Sequence, residues 1–283
     1  MKSTTIEILE EAKRERYAVG AFNTANLEVT QAIVRAAHDL NKACVIQMTP
    51  STMKYANHKV IGKLVGAVIE NESNSTPIGF HLDHGKNFDH VVAAIDAGAD
   101  SVMIDGSQLS FKENVELTAR VVEYAHGKNV TVQAELGRVP YVGREKQEIN
   151  WDEVMTDPDE AEKLVKKTGL DVLAVGIGNA HGFFREREEM DWERLKKIRD
   201  IIPDTLLVVH GASDWKVDGI KKAVEIGVSC FNVDTDVRVA FMTSICNTIG
   251  QRCEITDPRK ILSSSRDAME ETVKNKIKIF RGE

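Results

Sequence analysis

The chain is poor in cysteine. Cys44, Cys230, Cys246 and Cys253 are the only four in 283 residues, and no two form a CxxC pair. Cys44 and Cys230 lie in apolar runs and read as small buried hydrophobes, so a reduced, cytoplasmic setting is expected. A basic stripe is lacking as well. The formal charge is −7 with both signs interspersed, which argues against a nucleic-acid partner. No apolar run is long enough to span a bilayer, so no membrane partner is expected. The first twenty residues carry Lys2, Glu7, Glu10, Glu11, Lys13, Arg14 and Arg16, which argues against a secretory h-region. No Pro/Ser-rich linker interrupts the chain, so residues 1–283 read as one domain. A GxGxxG turn is also missing. The first β-rich run leads into Gly20-Ala21-Phe22-Asn23-Thr24, which removes the main mark of a dinucleotide-binding, doubly wound sheet.

What the chain does have is a recurring βα texture. With 42% hydrophobic residues it can bury a full core. Short β-rich runs fall at Tyr17–Phe22, Ala43–Met48, Ile78–Leu82, Ser101–Ile104, Val130–Ala134, Val172–Gly176, Leu206–Val209 and Cys230–Val233. Longer stretches with helical periodicity separate them. Phe111–His126 is one, with Val115, Leu117, Val121, Val122 and Ala125 on a stripe. Gly98, Gly127, Gly169 and Gly227 sit where helices should close before the next strand. Eight such units at intervals of about 30 residues predict an α/β fold, a (β/α)8 TIM barrel. Pro258 opens a last helix, to about Phe280, as a C-terminal extension.

In such a barrel, catalytic groups gather at the carboxyl ends of the strands. Every predicted exit is polar: Asn23, Thr49, Asp83-His84, Asp105-Ser107, Glu135, Asn179-His181, His210 to Ser213, and Asn232 to Thr235. His84, His181 and His210 each follow an apolar run closely and precede a glycine. Singly, each could be a turn-capping histidine. Three on one face fit a metal site with an open coordination position, and imidazole ligands suit zinc or cobalt. Asp83 is either a turn-forming Asx residue or a proton shuttle beside the metal. Asp105 and Glu135 could hold a second cation, orient the histidines, or form a buried salt bridge with Arg138. Gly211-Ala212-Ser213 and Asn232-Val233-Asp234-Thr235 occupy the loops after strands seven and eight, a frequent phosphate site in this fold. His81, inside strand three, reads as a core histidine. Lys274, Lys276 and Lys278 read as a solvated helix face, with the alternative that one reaches a substrate phosphate, and the Arg185–Glu189 charge run reads as a solvated loop.

These residues together resemble a family. His81-Leu82-Asp83-His84-Gly85, Gln133-Ala134-Glu135-Leu136-Gly137, Gly178-Asn179-Ala180-His181-Gly182, Val209-His210-Gly211-Ala212-Ser213, Asn232-Val233-Asp234-Thr235-Asp236 and Asp257-Pro258-Arg259-Lys260 are similar to the motifs of the class II, zinc-dependent fructose- and tagatose-bisphosphate aldolases. The resemblance runs over nearly the whole chain. It implies Zn2+ on His84, His181 and His210, and a second divalent or monovalent cation near Asp105 and Glu135. It implies proton exchange by Asp83 at the C4 oxygen of the ketose. Dihydroxyacetone phosphate would be held by Gly182, Gly211, Ala212, Ser213, Asn232, Val233, Asp234 and Thr235, with Asn23 and Thr49 also facing substrate. Glu145, on the loop after strand five, would act at C3. A homo-oligomer, dimer or tetramer, is implied too. Two positions depart from the pattern. Lys146 follows Glu145 where the family has an acidic residue, and Met48-Thr49-Pro50-Ser51 is nearer the tagatose type than the serine-glycine pattern of the fructose type. Other readings are a metal-dependent hydrolase or epimerase acting on a sugar phosphate, and a sugar-phosphate-binding regulator. A Schiff-base aldolase is disfavoured because no predicted strand exit carries lysine.

Overall fold

The computed structural model describes residues 3–141, 149–182, 190–251 and 256–283. Eight parallel strands close into a barrel in chain order. They are β1 (Val19–Asn23), β2 (Cys44–Met48), β3 (Ile78–Gly85), β4 (Ser101–Ile104), β5 (Thr131–Leu136), β6 (Val172–Val175), β7 (Leu206–Val209) and β8 (Val228–Val233). The barrel is sealed by β1 against β8, with Val19 opposite Cys230 and Ala21 opposite Asn232. Each predicted strand is present, but β3 runs on to Gly85, β5 runs on to Leu136, and β8 starts earlier, at Val228. The helix Phe111–His126 forms as the apolar stripe predicts, and Ser110 and Glu113 close a capping box at its start. No helix among the described residues is long and apolar enough to cross a membrane.

The period-two alternation of the strands sorts their side chains into two environments. One set, including Phe22, Ile46, Leu82, Ile104, Ala134, Leu173, Val209 and Phe231, packs outward against the helices. The other set points into the barrel and changes character along its axis. At the amino-terminal end it is apolar, with Val19, Ala21, Val45, Val172, Leu206, Val208 and Cys230 forming one cluster. Further along the same strands it becomes Asn23, Gln47, His81, Asp83, Gln133, Glu135 and Asn232, with His210 just beyond β7. The polar end of the barrel is therefore the carboxyl end.

The other end is plugged by a helix that the strand-and-exit pattern did not reveal. Thr5–Glu15 inserts Ile8, Leu9 and Ala12 into the apolar interior cluster. Its start is pinned from below β3 and β4. Asp100 accepts from the backbone N–H of Thr5 at 2.8 Å and from Phe80 N–H at 2.9 Å. Gly79 in β3 leaves room for this crossing, because a Cβ there would run into the Thr5 side chain.

The last helix, Pro258–Arg281, starts at Pro258 as predicted, with Asp257 as its N-cap. It packs on the helix Leu27–Leu40 and on β1. Phe280 is 1% exposed and stacks on Phe231 of β8, with centroids 4.9 Å apart. Its carbonyl accepts from Ala18 N–H at 2.9 Å, just before β1. The C-terminal helix thus clamps the seam where the barrel closes. Phe280→Ala should lower stability by about 3–5 kcal/mol through lost burial and a residual cavity, read from urea unfolding. A loss below about 1 kcal/mol would separate this helix from the core.

Candidate active site

The site begins with a break in the alternation of β3. His81 and Leu82 pair with Ser101 and Val102, but the next pairing joins Gly85 to Ile104, so β3 carries one extra residue. That bulge is accommodated by His84, whose φ of 51° lies in the left-handed region. An undisturbed strand would send Asp83 and His84 to opposite faces. The bulge lets both line one cavity. His181 follows β6 beyond Gly178, and His210 follows β7 directly.

The three imidazoles meet, as the sequence predicts. One ring nitrogen from each lies within 4.8 Å of the others. His84 Nε2 approaches His210 Nδ1 to 3.1 Å. Nitrogen ligands set tetrahedrally around zinc at their usual bond length stand about 3.3 Å apart, so this spacing fits a shared cation. The backs of the rings are held in place. His84 Nδ1 meets Asp105 Oδ2 at 2.8 Å, and His210 Nε2 meets the Gln133 amide at 3.0 Å. Asn179 donates to the His210 carbonyl at 2.9 Å. Tyr141 stacks on His181 at 4.4 Å between centroids. These contacts fix which nitrogen of His84 and of His210 faces the centre.

Electrostatics favour positive charge at this point. Burial works against protonated His84, but Asp83, the Asp105 hydrogen bond and Glu135 outweigh it and push its pKa up to about 9. Burial, aided by His84 and His210, pulls His181 down to about 3, so it stands as a neutral imidazole. Glu135 Oε2 is buried 3.3 Å from His210 Nδ1 and finds no hydrogen-bond partner among the described residues. Asp105 accepts from Ser107 N–H at 3.1 Å and Ser107 Oγ at 2.6 Å, and pairs with Lys86. His84, Asp105 and Glu135 form a second group whose ligand atoms also lie within 4.8 Å. Lys86, two residues beyond His84, thus faces Asp105 alongside the His84 ring.

Asp83 is held on both sides. Asn23 of β1 donates to its Oδ2 at 3.0 Å, and Asn232 of β8 to its Oδ1 at 3.1 Å. Burial disfavours the ionised carboxyl, but His84, His210, His81 and the Asn23 bond win and hold its pKa below the ordinary value. The carboxylate lines a cavity of about 800 Å³ together with Asn23, Thr49, His84, Lys86, His181 and Tyr141. Gly182, Gly211, Ser213, Asn232, Val233, Asp234 and Thr235 form its other wall. Gly211 is needed as glycine, since its φ is 69° and a Cβ there would strike the Ala180 carbonyl. Ala212 lies behind the wall, fully buried in the core, and reaches Asn232 O through its backbone at 3.4 Å.

All the described site residues predicted from sequence therefore converge on one end of the barrel. Glu145, Lys146 and the Arg185–Glu189 run lie outside the described residues. Lys86, Tyr141 and Arg238 also line the cavity and were not anticipated. Lys86 had a signal, being polar and two residues past a predicted ligand, whereas Tyr141 and Arg238 sit in no pattern that sequence periodicity marks. His81 is buried as expected but only half satisfied. Nδ1 meets Ser101 Oγ at 2.8 Å, and Nε2 has no partner among the described residues. Burial draws its pKa down to about 4.

Comparison with known proteins gives the chemistry. The family described as fructose-bisphosphate aldolase class-II matches residues 3–283. The chain belongs to this family. A fructose-bisphosphate aldolase from Geobacillus stearothermophilus is 39% identical, over 97% of this chain and 95% of the relative. One from Thermus caldophilus is 37% identical, over 99% and 98%. Among solved structures, the YdjI aldolase from Escherichia coli K12 superposes with a TM-score of 0.85 at 27% identity, over 99% of this chain and 97% of that one. The protein is accordingly a metal-dependent aldolase, a carbon–carbon lyase of carbohydrate metabolism. The Asp105 contact to His84 makes a prediction for this aldolase. Asp105→Asn should weaken metal affinity about ten- to a hundredfold, as loss of a ligand-orienting partner does, measured by competition with a chelator. Unchanged affinity would show that Asp105 does not support the metal site.

Proposed function

We propose that this aldolase reversibly cleaves a ketose 1,6-bisphosphate between C3 and C4, giving dihydroxyacetone phosphate and an aldehyde such as glyceraldehyde 3-phosphate. The observation that carries the reading is Asp83, an ionised carboxylate clamped by Asn23 and Asn232 on the same cavity as His84 and His181, with His210 buried just behind them. His84, His181 and His210 hold zinc, the ion that three imidazoles suit best. Zinc bound there supplies Lewis-acid stabilisation of the negative charge that develops when the carbon–carbon bond breaks.

The chain's own residues do the rest. The substrate phosphate sits among Gly182, Gly211, Ser213 and Asn232 to Thr235, where backbone amides and the first turn of the helix Thr235–Gln251 favour a dianion. This anchor fixes the reacting carbons relative to Asp83. Asp83 takes the C4 hydroxyl proton, the C4 carbonyl forms, and the bonding electrons pass to the C3 side. Glu145 returns a proton to C3. Thr49 and Lys86 face the aldehyde half. Asp105 and Glu135 support the imidazoles, and a second cation at Asp105 would have to displace Lys86. Fructose is favoured by the names of the relatives, while tagatose is favoured by the Met48 to Ser51 exit. We further place the enzyme in the cytoplasm as a homo-oligomer.

Two experiments test this. Fructose and tagatose 1,6-bisphosphates, assayed with the zinc-loaded enzyme, should release triose phosphate, and a chelator should abolish release until zinc is restored. Free phosphate in place of triose phosphate would make the protein a hydrolase. Asp83→Ala should retain zinc but lose about a hundredfold or more in kcat, the usual scale for removing a general base. Turnover near that of the parent enzyme would remove Asp83 from the chemistry.

A further inference from the structure

Lys276 stands on the last helix, yet its side chain ends at the loop after β7. The residue is only 8% exposed, so the expectation of a solvated lysine fails at this position. Its ammonium donates to the Ser213 carbonyl oxygen and pairs with Asp236 Oδ2 at 2.5 Å. Asp236 in turn donates its backbone N–H to Ser213 Oγ at 3.4 Å. Asp236 is the second residue of the helix Thr235–Gln251, whose start opens onto the cavity through Asp234 and Thr235. Three elements thus meet at one ammonium: the loop after β7, the helix after β8, and the last helix.

The charges explain why an ammonium is needed there. A phosphate arriving at this wall meets Asp234 on the lining, with Asp236 behind it on the same helix start, and both carboxylates would repel it. Each has its own cation. Arg238 meets Asp234 at 2.8 Å, and Lys276 meets Asp236. Arg238 is mostly exposed, so solvent screens its pair. The Lys276 pair is largely buried, and removing the lysine alone would leave the Asp236 charge uncompensated in a poorly hydrated place. The same ammonium anchors the Ser213 peptide whose hydroxyl lines the wall.

We infer that Lys276 is a positioning residue for the phosphate end of the cavity, neutralising Asp236 and fixing the Ser213 loop so that the site accepts a phosphate dianion. The inference rests on the phosphate placement proposed above. Its test is the binding of inorganic phosphate and of dihydroxyacetone phosphate to the metal-loaded enzyme by calorimetry, alongside steady-state kinetics and metal content. Lys276→Met should weaken both ligands by about tenfold or more, the scale of one lost charge interaction. KM should rise in step, with kcat and metal content little changed. Lys276→Arg should retain most of the affinity. The double variant Lys276→Met with Asp236→Asn leaves no lone buried charge, so it reports even where the single variant fails to fold. Its affinity should fall between those of Lys276→Met and the parent. Parent-like affinity in both Lys276→Met variants would overturn the inference while leaving the phosphate site standing. A parent enzyme in which phosphate does not compete with substrate would overturn the phosphate placement, and this inference with it.

Discussion

Closure of the barrel by β1 against β8 is the constraint on which the site depends. Asp83 lies on β3, but the amides that hold it come from β1 and β8. Asn23 and Asn232 become neighbours only because the first strand hydrogen-bonds to the last. The same closure sets His84 of β3 across from His210 after β7, on the other side of the ring. An open sheet would spread these groups along an edge. A closed one points them at a common axis. The apolar packing at the seam therefore bears on the chemistry although its side chains touch none of it, and the stacked pair Phe231 and Phe280 is the clearest case.

Along the barrel axis, stability and chemistry are separated. The amino-terminal half of the interior is apolar and plugged by the helix Thr5–Glu15. The carboxyl half is filled with side chains that a core optimised only for stability would avoid. Gln47, His81, Glu135 and Asn232 each keep a buried polar atom without a partner among the described residues. Groups left so commonly cost about 1–3 kcal/mol each. A left-handed histidine adds local strain of about 1–2 kcal/mol. Such costs concentrate where function demands them and are offset by packing elsewhere.

Much of this was legible in the sequence. Alternating strands, helical stripes and glycine stops define the βα units, and reading polar residues at each strand exit located the three histidines, Asp83, Asp105 and Glu135 on one face. The family motifs then implied roles that spacing could not. What escaped was of another kind. The helix Thr5–Glu15 precedes the first strand and follows no βα rule, since its place is set by an empty barrel end that must be filled. The bulge at His84 depends on register against β4, which no single strand encodes. Lys276 looked solvated because helix periodicity says which face a residue takes but not that a charged face is met by Asp236 and Ser213 from distant loops. Tyr141 and Arg238 escaped because their place on the cavity carries no periodic signature.

We propose that the geometry of the barrel delivers His84, His181 and His210 to one catalytic zinc. The most direct measurement is a crystal structure of the zinc-loaded enzyme with anomalous diffraction at the zinc edge. The account predicts one strong peak per chain between the three rings, at about 2.0–2.1 Å from one nitrogen of each, with Asp83 still held by Asn23 and Asn232. A peak elsewhere, or one that leaves any of the three imidazoles uncoordinated, would contradict it.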